Sequence, residues 1–558
     1  MTLTSPQQRA VDDPSPEILC VAGAGSGKTR TLVARIQRLV AEGADPARIV
    51  AITFTNAAAA EMQKRLGDVR LAYIGTLHGF ALRLIKESGK AIGYGKQITV
   101  ITKEQSESLL DRAAAECRFN GTDNLIVEAM KQGPFKIEAK AKARHLEKAE
   151  VVALQYFRTL KAGQMLDFDS ILTAAQELLA VHEQQPAPLP THLFVDEFQD
   201  SSDADCDIYE LLDVPNKFFV GDSDQAIYGF RGGNVANILD HAKPGSGVAV
   251  HYLEKNFRCA ESICEAAQYL IENNTKRAAK QTISATGQAG TVTVAQCKDA
   301  HCERQRIVIE VRTAISLGTA PSEIAVLTRT NRLANEFADI LEASGVPVAK
   351  KKRQSRPEDW PRLASFVSLL ANPDNDALAL YHIGELFGAD KRQEAQMKAG
   401  EAMQTVNEST LNLPYGAAPG EVAELASRAG VAGREALDKL DGIVSRLPNG
   451  AGLDDLTFAM SRDENHESEM GSGVTVTTAH SAKGREWTVV FLPSFEKGIF
   501  PTGRKDTDLE EERRLAYVAF TRAKEALHIS HCEERVPAWG DRRPQPSEPS
   551  QFIKEAGL

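Results

Sequence analysis

Eight consecutive residues, Ala22-Gly23-Ala24-Gly25-Ser26-Gly27-Lys28-Thr29, constrain this chain more than any other stretch. The apolar run Ile18-Leu19-Cys20-Val21 leads into them, and Leu32, Val33, Ile36, Leu39 and Val40 follow at helical spacing. Strand, glycine-rich turn and helix in that order read as a phosphate-binding loop. Glycines let backbone N–H groups close around phosphate oxygens, and the helix points the positive end of its dipole at them. Lys28 then reaches the β- and γ-phosphates of a nucleoside triphosphate, and the Thr29 hydroxyl is placed to hold Mg²⁺. Ala22 stands where the general pattern has its first glycine. The last glycine, the lysine and the threonine carry the chemistry, and they are intact.

A chain of 558 residues exceeds one hydrophobic core and predicts about three or four domains. No apolar run approaches the roughly 20 residues that span a bilayer. The start, MTLTSPQQRAVDD, has no basic segment followed by an apolar one. Both features predict a cytosolic protein without membrane association. Eight scattered cysteines form no CxxC pair, and Cys297, His301 and Cys302 lack the second ligand pair of a metal site. They read as structural or incidental thiols. A net charge of −11 argues against binding nucleic acid through bulk positive charge. It leaves room for a local basic track, because screening confines charge effects to roughly 8–10 Å.

Strand and helix alternate from Leu3 to about Phe80, with a strand at Ile49–Thr53 and a helix at Asn56–Leu66. Such alternation predicts a parallel sheet with crossover helices. From about Ala81 to Gln164 the sequence is polar and helical. The sheet pattern resumes at His192-Leu193-Phe194-Val195 and Lys217-Phe218-Phe219-Val220, each ending in carboxylates at the edge where open α/β sheets bind ligands. A second α/β unit starts near Phe257, with strands at Gly290–Val294, Ile324–Leu327, Val474–Thr477 and Thr488–Leu492. A second helical insertion separates the middle pair. The last twenty or so residues, carrying several prolines, read as a loose tail.

A phosphate loop needs an acidic partner. Leu193-Phe194-Val195-Asp196-Glu197 supplies it: Asp196 is placed to hold the metal and Glu197 to polarise the attacking water.

These residues sit in a longer pattern. Asp196-Glu197-Phe198-Gln199-Asp200-Ser201 and Gly221-Asp222-Ser223-Asp224-Gln225-Ala226-Ile227-Tyr228-Gly229-Phe230-Arg231-Gly232 resemble motifs II and III of the UvrD/Rep family of superfamily 1 DNA helicases. Its other motifs occur in order. Leu3–Val11 resembles the Q motif, Thr53-Phe54-Thr55-Asn56 motif Ia, and Gly75-Thr76-Leu77-His78-Gly79 motif Ib. Leu253-Glu254-Lys255-Asn256-Phe257-Arg258 resembles motif IV, Thr478-Ala479-His480-Ser481-Ala482-Lys483-Gly484-Arg485-Glu486-Trp487 motif V, and Glu511–Ala523 motif VI. The resemblance covers nearly the whole chain, and Ala22 is then a family feature.

The resemblance implies an α/β fold: two RecA-like parallel-sheet P-loop NTPase domains, each with a helical insertion, and ATP between them. It places a first RecA-like domain at 1–85 and 165–255, with its insertion at 86–164. The second occupies 256–375 and 473–540, with a reduced insertion at 376–472 and a tail at 541–558. It implies catalytic roles for Lys28, Glu197, Gln225, Arg258 and Arg522, the two arginines acting as fingers for the γ-phosphate. Gln7 would read adenine, Arg30 and Phe257 sandwich it, and Glu486 hydrogen-bond the ribose. Thr55, Asn56, Thr76, His78, Tyr228, Phe230, His480 and Ser481 would contact single-stranded DNA, with Tyr228 and Phe230 stacking on bases. ATP and Mg²⁺ are the implied cofactors, and single strands and single-strand/duplex junctions the implied substrates.

The expected activity is ATP-driven 3′-to-5′ movement with duplex unwinding, an engine used in DNA repair and replication. Motif Ia lacks the usual lysine, having Ala57, and the second insertion is short. Both favour an alternative, a translocase that strips proteins or needs a protein partner to unwind. A nucleotide-gated scaffold without turnover predicts damage to the five catalytic residues, and all five are present. Little more than thirty residues follow Arg522, too few for a fused nuclease. A small-molecule P-loop kinase does not need the second α/β unit and its arginines.

Overall fold

In the computed structural model of the chain, the described residues are 3–95, 98–119, 121, 123–130, 137, 140–141, 146–181, 190–349, 359–371, 418–445, 447, 452–462, 472–503, 507–536 and 543–558. They belong to two compact units. The first comprises Met1–Leu77, Pro188–Lys352 and Ser468–Leu558, and the second His78–Ala187 and Arg353–Glu467.

Two large parallel sheets organise the first unit. One is built from β1 (Glu17–Ala22), β2 (Ile49–Ile52), β3 (Tyr73–Gly75), β4 (His192–Val195), β5 (Asn216–Gly221) and β6 (Ala249–Leu253), in the order β3-β2-β4-β5-β1-β6. Every neighbouring pair in it is parallel. The other contains β7 (Thr291–Cys297), β8 (Ile324–Thr328), β9 (Thr475–Thr478), β10 (Trp487–Leu492) and β11 (Ala523–Cys532), ordered β7-β11-β10-β8-β9 and again wholly parallel.

Parallel strands are covered on both faces, so their sequences read as unbroken apolar runs. Ile18, Leu19, Cys20 and Val21 of β1 are fully buried. The helix Lys28–Ala41 lays Leu32 and Ile36 on the first sheet, in one core with Ala10, Phe194 and Phe218. The buried Arg35 donates to the carbonyls of Ala10, Val11 and Asp13, fastening the N-terminal segment to that helix. Around the second sheet, the helix Leu509–Phe520 is buried from Glu512 onward and shares a core with Val490, Leu527 and Phe495. Both sheets therefore present loops at their carboxyl edges, where a parallel α/β fold gathers ligands.

The described part of the second unit is mainly helical. Helices Lys103–Glu116, Asp123–Met130 and Lys148–Ala162 close around Val152, Tyr156 and Leu160. Helices Trp360–Ala371, Val422–Arg428, Arg434–Val444 and Leu453–Arg462 close around Leu363, Phe366, Leu440 and Leu456. Of the insertion expected at 376–472, residues 376–417, 446, 448–451 and 463–471 lie outside the described residues.

The loose C-terminal tail expected from the sequence is corrected by the structure over 543–558. The helix Gln551–Glu555 buries Phe552 completely, among Phe495 and Phe500. Arg513 grips Glu555 through Nε and Nη2 at 2.7 and 3.1 Å. Before the helix, Gln545–Pro546 pairs antiparallel with Glu534–Arg535, so the prolines of this segment do not keep it from docking on the body of the unit.

Candidate active site

The loop after β1 depends on its glycines. Gly25 and Gly27 have φ of +64° and +82°, conformations that cost a side-chain-bearing residue energy. A Cβ on Gly25 would lie 2.7 Å from Asn256 Oδ1 and 2.8 Å from Arg258 Cβ, and one on Gly27 would lie 2.8 Å from Gln7 Nε2. The loop is thus packed between the N-terminal segment and the start of the second α/β half. Gln7 Nε2 donates to the Ser26 carbonyl at 2.9 Å, and its Oε1 accepts from Thr4 N. The side chain expected to read adenine holds the loop here. Ser26 Oγ closes the turn onto the Gly23 carbonyl at 2.8 Å. Ala22 and Ala24 are buried, and Arg30 is in the first turn of the helix Lys28–Ala41.

Lys28 Nζ lies 3.3 Å from Glu197 Oε2, and Thr29 Oγ1 donates to Asp196 Oδ2 at 3.1 Å. Glu197 sits just past β4 at φ 54° and ψ 41°, a left-handed conformation rare for a non-glycine residue and a form of strain found at functional sites. The two adjacent carboxyls diverge in acidity. Burial, with the Glu197 charge alongside, holds Asp196 above the usual carboxylate range. Burial works against ionisation of Glu197 too, yet Lys28 and Lys483 outweigh it and hold that group below the usual range. Glu197 is therefore the more acidic carboxyl of the pair. A hydroxyl and a carboxylate within hydrogen-bonding distance are the hard oxygen donors that Mg²⁺ takes, so Thr29 and Asp196 fit that ion.

The second half supplies cations. Arg258 donates through Nε to Glu486 Oε2 at 2.5 Å and through Nη1 to the Thr521 carbonyl at 3.2 Å. Glu486 also faces Lys524 at 3.6 Å. Asn256 Oδ1 accepts from the backbone N–H groups of Arg258 and Cys259, fixing the turn that aims the arginine. Phe257 donates its N–H to the Gly25 carbonyl at 2.9 Å and leaves its half-exposed ring beside the loop.

Arg522 is only 2 % exposed. Its hydrogen bonds go to the carbonyls of Val518 and Arg485 and to Thr521 Oγ1, all uncharged acceptors. Burial, reinforced by the Arg258 charge, brings it down to about 9. A buried guanidinium with no carboxylate hydrogen-bond partner among the described residues favours an incoming anion.

The loop after β5 connects this site to an aromatic row. Gln225 Nε2 donates to Asp222 Oδ2 at 2.5 Å. Lys483, from the second half, bonds to the Gln225 carbonyl at 2.9 Å and to Asp200, and its Nζ stands 5.0 Å over the Tyr228 ring. Tyr228 stacks on Phe54 with centroids 4.8 Å apart. Phe230 lies 5.9 Å from Tyr228 and meets His480 edge-on at 5.8 Å. At 67 % exposure Phe230 is not a core aromatic. Arg231 lies over both the Tyr228 and Phe230 rings. His480 is pushed down to about 4 by burial and by Arg329 and Arg231, so it is neutral at physiological pH.

The remaining DNA candidates are spread more widely. Thr55 and Asn56 are exposed at the start of the helix Asn56–Leu66, with Thr55 Oγ1 capping Ala58 N. Thr76 is buried, and Ser481 Oγ accepts from Thr478 Oγ1 at 3.1 Å. His78, in the second unit, stacks on Phe168 at 3.8 Å.

Several residues that join these groups carried no sequence-based assignment. Gln199 bridges Glu197 Oε2 and the Asp222 N–H at 2.5 and 2.7 Å. Lys483, Asn256, Phe54 and Arg231 are the others. All lie inside the quoted motifs, which was the available signal. Phe54 and Lys483 find their partners more than a hundred residues away, and Asn256 and Gln199 bind backbone N–H groups, none of which spacing reports.

Residues 3–245 match the UvrD/REP helicase N-terminal domain, and residues 251–392 and 440–534 the UvrD-like helicase C-terminal domain. A Leuconostoc citreum protein named ATP-dependent DNA helicase PcrA is 31 % identical, over 99 % of this chain and 84 % of that protein. Proteins of the same name from Staphylococcus aureus and Staphylococcus epidermidis are 29 % identical, over 99 % of this chain and 86 % of theirs. The chain is a member of the UvrD/Rep helicase family.

Proposed function

We propose that this protein is an ATP-dependent DNA helicase that moves 3′ to 5′ along single-stranded DNA and couples ATP hydrolysis to strand movement and duplex unwinding. Lys28 neutralises the β- and γ-phosphates. Thr29 and Asp196 would hold Mg²⁺, which supplies Lewis-acid charge neutralisation at the phosphates. Glu197 takes a proton from the attacking water. Arg258 and Arg522 stabilise the charge that develops in phosphoryl transfer. Arg30 and Phe257 hold the adenine, while Glu486 passes from Arg258 to the ribose when nucleotide enters.

The observation that carries the reading is Lys483. One ammonium touches the backbone of Gln225, Asp200 and the face of Tyr228. A change in the γ-phosphate contact of Gln225 thereby reaches the aromatic row in one step. Bases stacking on Tyr228 and Phe230 give a sequence-tolerant grip, with Thr55, Asn56, Thr76, His78, His480 and Ser481 contacting the strand. Forks bearing a 3′ or a 5′ single-stranded tail test this: ATP-dependent unwinding of the 3′-tailed fork alone is expected, and preference for the 5′ tail overturns the polarity. ATP-dependent release of a protein bound to single-stranded DNA, with neither fork opened, would select the translocase that needs a partner.

A further inference from the structure

Asp222 and Asp224, on the loop after β5, face two cations from the segment that follows the helix Glu261–Ile271. The Lys280 side chain is fully buried. Its Nζ reaches Asp222 Oδ1 at 2.6 Å and also binds Asp224 Oδ2. Arg277 grips the same Asp224 through Nε to Oδ1 at 3.0 Å and Nη2 to Oδ2 at 2.8 Å. Between these two cations, the Ala278 N–H donates to Ser223 Oγ at 3.1 Å. Residues 277–280 of one half thus hold residues 222–224 of the other.

Two features set this cluster apart from ordinary packing. Its four charges cancel away from water, and apolar residues of the same volume often stabilise a buried site as well or better. Stability alone is therefore a weak reason for an ionic cluster here. Moreover, the cluster ends on a group assigned to the reaction. Lys280 fixes Oδ1 of Asp222, and the other oxygen, Oδ2, receives Gln225 Nε2 at 2.5 Å.

We propose that Lys280 and Arg277 are positioning residues that act through Asp222 and Asp224 to set the Gln225 carboxamide and tie its loop to the second α/β half. Movement of that half then changes the γ-phosphate contact directly. The inference rests on the role given above to Gln225.

A double-mutant cycle tests it, using K280M, R277Q and Q225A in the full-length protein with ATP and saturating oligo-dT. Q225A and K280M should each lower kcat by roughly 10- to 100-fold, the range of small misplacements at a reacting group. KM and the affinity for a fluorescent ADP should stay within about twofold in K280M, and K280R should recover part of the rate. K280M/Q225A should turn over no more slowly than Q225A, because both act through one carboxamide. Losses that multiply in the double variant, or parent-like turnover in K280M, overturn the proposal. If K280M does not fold, R277Q carries the same cycle from the more accessible edge of the cluster. Parent-like turnover in Q225A removes the Gln225 assignment itself, a failure distinct from multiplied losses with a slow Q225A.

Discussion

Arg522 allows stability and catalysis to be separated in one substitution. A guanidinium brought down from 12.5 to about 9 is held at an electrostatic cost of about 5 kcal/mol at neutral pH. Methionine has similar bulk and no charge, so Arg522→Met removes that cost. It also removes three hydrogen bonds from a charged donor to uncharged acceptors, worth about 1.5 kcal/mol each at the low end. The two contributions nearly cancel in the absence of nucleotide. Its melting temperature should stay close to that of the parent. Turnover should fall, because a missing arginine finger costs about a thousandfold or more in kcat. Thermal melts of the nucleotide-free protein and steady-state ATP hydrolysis with single-stranded DNA are the two assays. A variant that melts well below the parent while hydrolysing ATP normally would make Arg522 a structural residue and refute the reasoning.

Other outcomes follow from the same geometry. Phe230→Ala should weaken single-strand binding by about 1–3 kcal/mol, the range for one base stacked on an aromatic ring, with DNA-free hydrolysis unchanged. Fluorescence anisotropy with labelled oligo-dT measures it, and unchanged affinity would remove Phe230 from the track. His480 has a folded-state pKa of about 4 against 6.5 when unfolded, so the unfolded chain binds the proton more tightly. Stability is then complete above pH 6.5 and is lost as pH falls from 6.5 towards 4. The melting temperature of the parent should drop more between pH 7 and pH 5 than that of His480→Asn, and equal drops would contradict the assignment.

Much of the fold was legible because parallel strands announce themselves. Ile18–Val21, Ile49–Thr53, His192–Val195, Lys217–Val220 and the four runs of the second half all became strands in the two sheets. The strands that escaped notice had the weaker signal. In β11 (Ala523–Cys532), Lys524, Glu525, His528 and His531 interrupt the apolar residues, although the strand lies inside its sheet, paired with both β7 and β10. Tyr73–Gly75 and Ala249–Leu253 are short edge strands that lean on the rest of the first sheet. At the site, residue types reported the chemistry: a lysine, adjacent carboxylates, two arginines and an aromatic pair. They could not report how those groups meet in this state, with Gln225 on Asp222, Arg258 on Glu486 and Lys483 between the loop and the aromatic row. Gln225 and Asp222 meet within one loop, whereas Lys483 reaches its partners because the two sheets bring their loops together. Lys280 is the sharpest case, since nothing in its local sequence marks a fully buried ammonium.

The central claim is that one site turns ATP hydrolysis into action on a DNA strand. The most direct measurement is the rate of ATP hydrolysis with and without single-stranded DNA, with Glu197→Gln alongside. The account predicts strong stimulation by the strand. It also predicts a loss of about 10²–10⁴-fold in Glu197→Gln, the usual contribution of a general base, with nucleotide binding retained. Turnover that ignores single-stranded DNA, or that survives the loss of Glu197, would contradict it.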